Sequence, residues 1–436
     1  MTSEFLKQTL RALKHKNYRL FFTGQGLSLI GTWMQQIALG WLVYRMTDSA
    51  FLLGIVGFSS QIPTFLLASF AGVIADRINK HKIIIATQTL AMLQAFILAG
   101  LTLTNTIQIW HIISLSLFSG LINAFDMPTR QSFVIDMIED KNDLPNAIAL
   151  NSSMFNSARL IGPTIAGFVI SSLGEGLCFL INAISYITVI FALMLMKIEP
   201  KINNKKKEKV FEGLKEGLKY AYNFKPIRVL LLLIALVSLT GMPYTVLMPV
   251  FARDILHGNA HTLGYLFGAV GSGALIGAIY LASRKSVLGL GKWIAKATSI
   301  FSLGLLFFSF SRNIYFSVGL MLFTGFGMMM QMASTNTLLQ TLVDDDKRGR
   351  VMSLYVMAFM GTAPFGSFMA GTLASTIGAP YTVLSSGIIC LIGALIFYKN
   401  LPSLRKHIRP IYIRMGILPE VSKGLQSITH LKMPPN

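Results

Sequence analysis

Charge is scarce in this chain. Only 13% of its 436 residues are Asp, Glu, Lys or Arg, and acids are the rarer sign, 18 against 38 basic residues. A soluble protein of this length needs far more charge on its exterior, so a water-soluble globular fold is excluded. Cysteine is nearly absent. Cys178 and Cys390 both fall inside apolar stretches, which argues against a disulfide framework or a cysteine metal centre and leaves the redox compartment unread. No G-x-x-x-x-G-K-[ST] phosphate loop occurs, no nucleophile stands beside a base, and no metal-ligand cluster is spaced along the chain. An enzyme is therefore the least expected reading, no cofactor or metal is expected, and energy for any pumping must come from a gradient.

What is present is apolar length. Residues 51–75, 83–125, 229–252, 262–283 and 313–343 carry no charge, and mean hydropathy is +0.60. A bilayer crossing needs about 20 mostly apolar residues. Broken at charges and turn residues, the runs predict twelve membrane helices: 20–44, 51–75, 83–104, 109–134, 147–173, 177–196, 228–251, 262–283, 293–311, 314–342, 351–375 and 380–398. These are spans 1 to 12. The fold class is an all-α membrane protein with two six-helix bundles. Its expected parts are an N-terminal bundle 1–196, a basic linker 197–227, a C-terminal bundle 228–400 and a basic tail 401–436. The first span is read as retained, since a cleaved leader has a shorter apolar core and a small-residue cleavage site.

The net charge of +20 invites a nucleic-acid reading, but the basic residues sit at intervals between spans and not on one face. Of the 38 Lys and Arg, 33 fall on the side that holds both termini and three, Arg45, Arg253 and Arg312, on the other. The positive-inside bias then places both termini in the cytoplasm. No nucleic-acid partner is expected; the partner of the surface is the bilayer. In the linker, Phe211, Leu214, Leu218 and Tyr222 recur at helical spacing among charges. That pattern fits an amphipathic helix lying on the inner surface and equally a solvated tether.

The halves repeat. A shift of 204 residues lays GPTIAG (162–167) over GSFMAG (366–371), and the acidic turn after span 4 over that after span 10. Two parallel six-helix halves with a site between them is a transporter plan.

The stretch AGVIADRINKHK (71–82) then becomes specific. It resembles the loop after the second helix of the major facilitator superfamily, G-x-x-x-D-R-x-G-R-[KR]: Gly72, Asp76 and Arg77 match, Asn79 replaces a glycine, and Lys80 and His81 replace the basic pair. GTWMQQIALGWLVYRMTDSA (31–50), NAFDMPTRQ (123–131) and DLPNAIALNSSMFNSARLIGP (143–163) resemble a bacterial branch of that superfamily that includes the enterobactin exporter. The resemblance spans roughly residues 10–400 and implies proton-coupled antiport in the inner membrane. The expected function is export, by alternating access, of a small amphipathic anion such as a siderophore; a broad drug or macrolide exporter and a lysophospholipid flippase are the alternatives. A receptor or scaffold that moves nothing is the reading from another class. A monomer is expected.

Candidate residues follow. Asp76 ends span 2, and the resemblance sets it against the N-terminus of span 11, where free N–H groups favour a carboxylate. Arg77 and Lys80 are placed to pair with Asp136 or Asp126, so Gly72, Asp76, Arg77 and Lys80 form an expected inner latch. Polar groups inside hydrocarbon need a reason. Span 1 carries Gln25, Ser28, Thr32, Gln35 and Gln36; span 4 carries Ser116, Ser119, Asn123, Asp126 and Arg130; span 5 carries Asn156 and Arg159; span 10 carries Gln331, Thr335 and Asn336 beside Met328. The resemblance has spans 1, 4, 7 and 10 line a central cavity; helix-to-helix hydrogen bonding is the alternative. Asp126 and Arg130, one turn apart, are spaced to pair. Arg159 then stays unmatched, either as an anion-binding cation or bound to carbonyls. RLIGPTIAG resembles the superfamily antiporter pattern G-x-x-x-G-P-x-x-G-G: Gly162, Pro163 and Gly167 match, while Ala158 and Ala166 replace glycines. Gly264 and Gly268 on span 8 suit close packing against it.

Overall fold

Turn chemistry sets where each helix starts and stops. Asn79, Asn259 and Asn313 each cap a helix by accepting backbone N–H groups with their side chains. Gly174 and Gly378 turn the chain at φ 84° and φ 86°, a region few other residues tolerate. These two glycines stand 204 residues apart, each between the fifth and sixth passes of its half. The repeat read from the sequence is thus present in the turns.

The computed structural model describes residues 10–75, 78–198, 210–284, 286–344 and 347–415. Spans 1 to 6 are Lys16–Thr47, Ala50–Ala75, Lys80–Leu103, Ile109–Asp136, Leu144–Leu173 and Glu175–Met194. Spans 7 to 12 are Lys225–Ile255, Ala260–Ala282, Leu290–Phe310, Ile314–Leu342, Arg348–Ile377 and Ala379–Arg414. Among the described residues, ten of these passes contain a stretch long and apolar enough to cross a membrane, span 2 over Ala50–Leu67. Spans 1 and 5 are as long but carry the polar residues noted above.

Two C-half passes are not regular. Span 7 widens into π-helical turns at Val237–Gly241 and Phe251–Ile255, and span 11 breaks between Met360 and Ala363. Such interruptions are tolerated where they face a cavity or neighbouring protein rather than lipid. Span 12 runs past the expected membrane boundary to Arg414 as one helix. Leu401, Leu404, Ile408 and Tyr412 bury one side of that extension. The linker helix, Val210–Asn223, turns Ala221 inward and leaves Leu218 and Tyr222 exposed. It is tied to the start of span 11 by Glu216 and Arg350, 2.5 Å apart.

The halves meet through two crossings of small residues. Span 5 crosses span 8, and span 2 crosses span 11. A Cβ built on Gly167 would lie 3.0 Å from the Cα of Gly264, and one on Gly54 would lie 2.8 Å from the Cα of Gly371. Both contacts sit in the half of the molecule remote from the termini, here called the far end. The first stretch of span 11, Arg348–Met360, packs on the linker helix and on spans 7 and 10 of its own half.

Candidate functional site

A cavity of about 460 Å3 lies at mid-depth between the halves. Its N-half wall includes Trp33, Gln36 and Gly40 of span 1, Leu53, Gly57, Ser60, Gln61 and Thr64 of span 2, Asn123 and Met127 of span 4, and Arg159 and Pro163 of span 5. Its C-half wall includes Ser238, Met242, Thr245 and Val246 of span 7, Phe267 of span 8, and Phe359, Met360 and Ser367 of span 11. The lining is mostly apolar, with a few polar groups converging on it, the usual make-up of a small-molecule site.

Arg159 is the cation in this wall. Its guanidinium lies 5.7 Å over the ring of Trp33, and Nη2 is 3.5 Å from the sulfur of Met328. Among the described residues it forms no ion pair with a carboxylate. Trp33 is held in turn by Phe155, edge to face at 5.7 Å, and by Gly162, where a Cβ would lie 2.6 Å from the Cβ of Trp33. Nearby, Gln61 donates from Nε2 to Gly57 O at 3.1 Å and to Ser367 Oγ at 3.4 Å, bridging the halves. Ser238, in the first wide turn of span 7, donates to the carbonyl of Phe359 beside the break in span 11. The two irregular passes therefore meet at the cavity wall.

The residues singled out in the sequence divide into groups. Gln36, Asn123 and Arg159 line the cavity. A second set lies off the cavity wall in the N-half. Gln25 and Ser28 are buried, 2% and 0% exposed, while Thr32 is exposed and donates to Ser28 O. Gln35 accepts from Asn182 at 2.7 Å and donates to Gln94 at 3.1 Å. Asp126 accepts from Thr87 Oγ1 and Gln88 Nε2, both at 2.8 Å, and from Arg130. Asp126 and Arg130 thus pair, facing span 3. Ser119 and Asn156 are half-buried off the cavity wall, with Asn156 Nδ2 bonded to Ser152 O.

Span 10 is absent from the wall, and Gln331 and Thr335 lie elsewhere, 1% and 0% exposed within the C-half. The reason is packing. Span 10 is wedged between spans 8 and 9 by Gly325 against Val270 and Gly327 against Phe301. Spans 2, 5, 8 and 11 line the cavity in its place. Ser60, Gln61 and Ser367 also line the cavity. Ser60 and Gln61 belong to S-S-Q-x-P, a polar cluster in an otherwise apolar span 2, and Ser367 is the polar residue within GSFMAG of span 11.

Of the expected inner latch, Asp76 and Arg77 lie outside the described residues, as does the packing around Gly72. Lys80 Nζ sits 3.5 Å from Asp136. Gly162 packs on span 1, while Gly167 and Gly264 form the crossing of spans 5 and 8, with Gly268 against Thr164 one turn further on. At the terminal face, Asp143 gathers Lys14 at 2.6 Å, His15 at 3.0 Å and Arg11 at 3.2 Å. Hydrogen bonds from Lys14 and His15 hold the Asp143 carboxyl below its ordinary value.

Similarity searches point the same way as this geometry. A family model described as transmembrane secretion effector matches residues 7–410. The staphyloferrin A transporter of Staphylococcus aureus is 29% identical over 384 residues, covering 87% of this chain and 95% of that protein. The multidrug efflux pump Tap of Mycolicibacterium fortuitum is 23% identical over 379 residues, 85% and 92% of the two chains. Among solved structures, a bacterial homologue of the iron transporter ferroportin in an inward-facing state superposes with a TM-score of 0.69 at 17% identity. That match covers 88% of this chain and 98% of the other.

Proposed function

We propose that this chain, which belongs to the transmembrane secretion effector family of the major facilitator superfamily, exports a small amphipathic anion, such as a carboxylate-bearing siderophore. That it is a multi-pass efflux transporter follows from its family. The anionic substrate is inferred from Arg159. Arg159 is half-buried, and a guanidinium partly withdrawn from water without a carboxylate partner carries a desolvation cost. An intramembrane cation facing a cavity is most simply a ligand group. An anionic solute supplies the missing charge, with charge-assisted bonds contributing about 1.5–3 kcal/mol each. Gln36, Gln61 and Asn123 are placed to bond its polar groups, and Met127, Met242, Phe267 and Phe359 to hold its apolar part.

The cycle is alternating access. With the termini cytoplasmic, the glycine crossings at the far end close the outside, and the cavity is loaded from the inside. Gly72, Asp76, Arg77 and Lys80 then close the inner mouth in the opposite state. Protons are the proposed counter-ion, and the transporter works as a monomer in the bacterial inner membrane. The S. aureus relative supports the siderophore reading. The apolar lining and the Tap relative support a second, a broad drug exporter.

The two are separated by Arg159→Gln, assayed in proteoliposomes for counterflow of a tricarboxylate chelator and of a lipophilic cationic dye. The anion reading expects at least about a tenfold loss for the chelator, the factor that 1.4 kcal/mol carries, with dye movement unchanged. Undiminished chelator flux in the variant, or dye flux that falls equally, overturns it.

A further inference from the structure

We infer that Tyr44 and Asp48 at the end of span 1, with Arg253 and Asp254 at the end of span 7, form a latch that holds the far mouth shut and must release for the cavity to open there. The contact is reciprocal: each half offers one acid and one partner for the other half's acid. The Tyr44 hydroxyl donates to the Asp254 carboxylate. Arg253 Nη1 lies 2.5 Å from Asp48 Oδ1 and 3.5 Å from the Tyr44 carbonyl, and its guanidinium sits 5.7 Å over the Tyr44 ring. By contrast, Arg45–Glu175, Lys80–Asp136 and Arg130–Asp126 each stay within one half.

Local structure builds the contact. Asp48 ends span 1 with φ 47°, in the left-handed region, so its carboxylate leaves the helix axis. Arg253 and Asp254 are consecutive, and the wide turn Phe251–Ile255 carries both across to span 1. The neighbouring crossing of spans 2 and 11 meets through glycine backbone and phenylalanine edges, such as Phe51 on Phe368, with its Gln61–Ser367 bond at the cavity. The side chains at the ends of spans 1 and 7 add directional polar bonds and an ion pair to that packing. The Asp48 and Arg253 side chains are 69% and 38% exposed, so both rehydrate readily when the halves part. A partly solvated ion pair of that kind is weak, as a gate that opens in every cycle requires.

The test needs no substrate, so its failure is distinguishable from failure of the siderophore reading. In a background with Cys178→Ala and Cys390→Ala, Leu53→Cys is the reporter, since Leu53 lines the cavity and is 3% exposed. A charged maleimide is applied to the face opposite the termini. Tyr44→Phe with Arg253→Gln is expected to raise the labelling rate about fivefold, the population shift that loss of weak contacts supplies. Asp48→Asn, at an exposed carboxylate where folding is little burdened, is expected to move it in the same direction. The swap Asp48→Arg with Arg253→Asp is expected to return the rate towards the parent. Parent-like labelling in both loss variants overturns the latch, and so does a rise that the swap leaves uncorrected.

Discussion

A Cβ added to Gly371 would lie 2.6 Å from the Cα of Gly54, so spans 2 and 11 cross backbone on backbone at the far end. Nothing flexible stands between them to yield. Gly371→Ala must push the two helices apart, and overpacking of that kind destabilises by about 1–3 kcal/mol. The strain falls on the state in which the far end is closed. We expect Gly371→Ala to lower the thermal midpoint in detergent and to raise maleimide access from the far side. Gly319, where an added methyl meets nothing within 4 Å, is the control. Gly319→Ala should leave both readouts unchanged, or raise the midpoint through the roughly 0.5–1 kcal/mol that alanine gains over glycine in a helix.

Asp126 is 2% exposed and meets Thr87, Gln88 and Arg130. Replacing it by asparagine keeps the shape but leaves the Arg130 charge without its partner inside the bundle. Loss of one member of a buried pair costs about 3–5 kcal/mol, whereas replacing both by apolar residues is often neutral. Asp126→Asn should therefore be much less stable in detergent than Asp126→Leu combined with Arg130→Met. If the single variant unfolds at the wild-type temperature, the Asp126–Arg130 pair does not contribute to the stability of the N-half.

The Asp143 cluster predicts a pH window. The Asp143 carboxyl is depressed from its ordinary 3.8 by hydrogen bonds from Lys14 and His15. Its contribution is therefore full above pH 3.8 and fades as pH falls through the lower folded value. Lys14 is raised above 10.5, chiefly by its hydrogen bond to Asp143, so its contribution is full below 10.5 and fades as pH rises through the higher folded value. Hydrogen exchange of the Arg11–Lys14 turn, corrected for intrinsic rates, should show constant protection between pH 5 and pH 9. It should lose protection below pH 3.8. Protection that declines steadily across the neutral range would show that the cluster does not anchor this turn.

Much of the fold was legible because hydrocarbon imposes its own grammar. Charge-free runs marked the passes, and the 204-residue shift that overlays GPTIAG on GSFMAG also relates Gly174 to Gly378. The i,i+4 spacing of Asp126 and Arg130 was enough to foresee their bond. Which face of each helix meets the cavity was less legible, because rotation is set by distant contacts. Gln331 sits behind span 8 through Gly325 and Val270, a pairing no local pattern announces. Asn123 and Asp126, three residues apart, part company: one faces the cavity and the other span 3. The far-end pair Asp48–Arg253 joins residues 205 apart, and the wide turn that delivers Arg253 has no signature in FARDI.

Trp33 offers the last check, on the cation's support rather than the cation. The indole backs the Arg159 guanidinium at 5.7 Å, a contact that contributes from about 0.5–1 kcal/mol when exposed to about 2 kcal/mol when desolvated. Trp33→Leu keeps the apolar bulk and removes the ring face. The expected result is a KM for the anionic solute raised about 5- to 30-fold, the range one to two kcal/mol commands, with maximal flux little changed. Gly162→Ala should act in the same direction without touching the cavity, because its methyl would lie 2.6 Å from the Cβ of Trp33 and 2.9 Å from the Ile30 carbonyl. Both variants are read by solute-concentration dependence in proteoliposomes. A fall in maximal flux at constant KM would mean that Trp33 serves the helix crossing of spans 1 and 5 and not the solute.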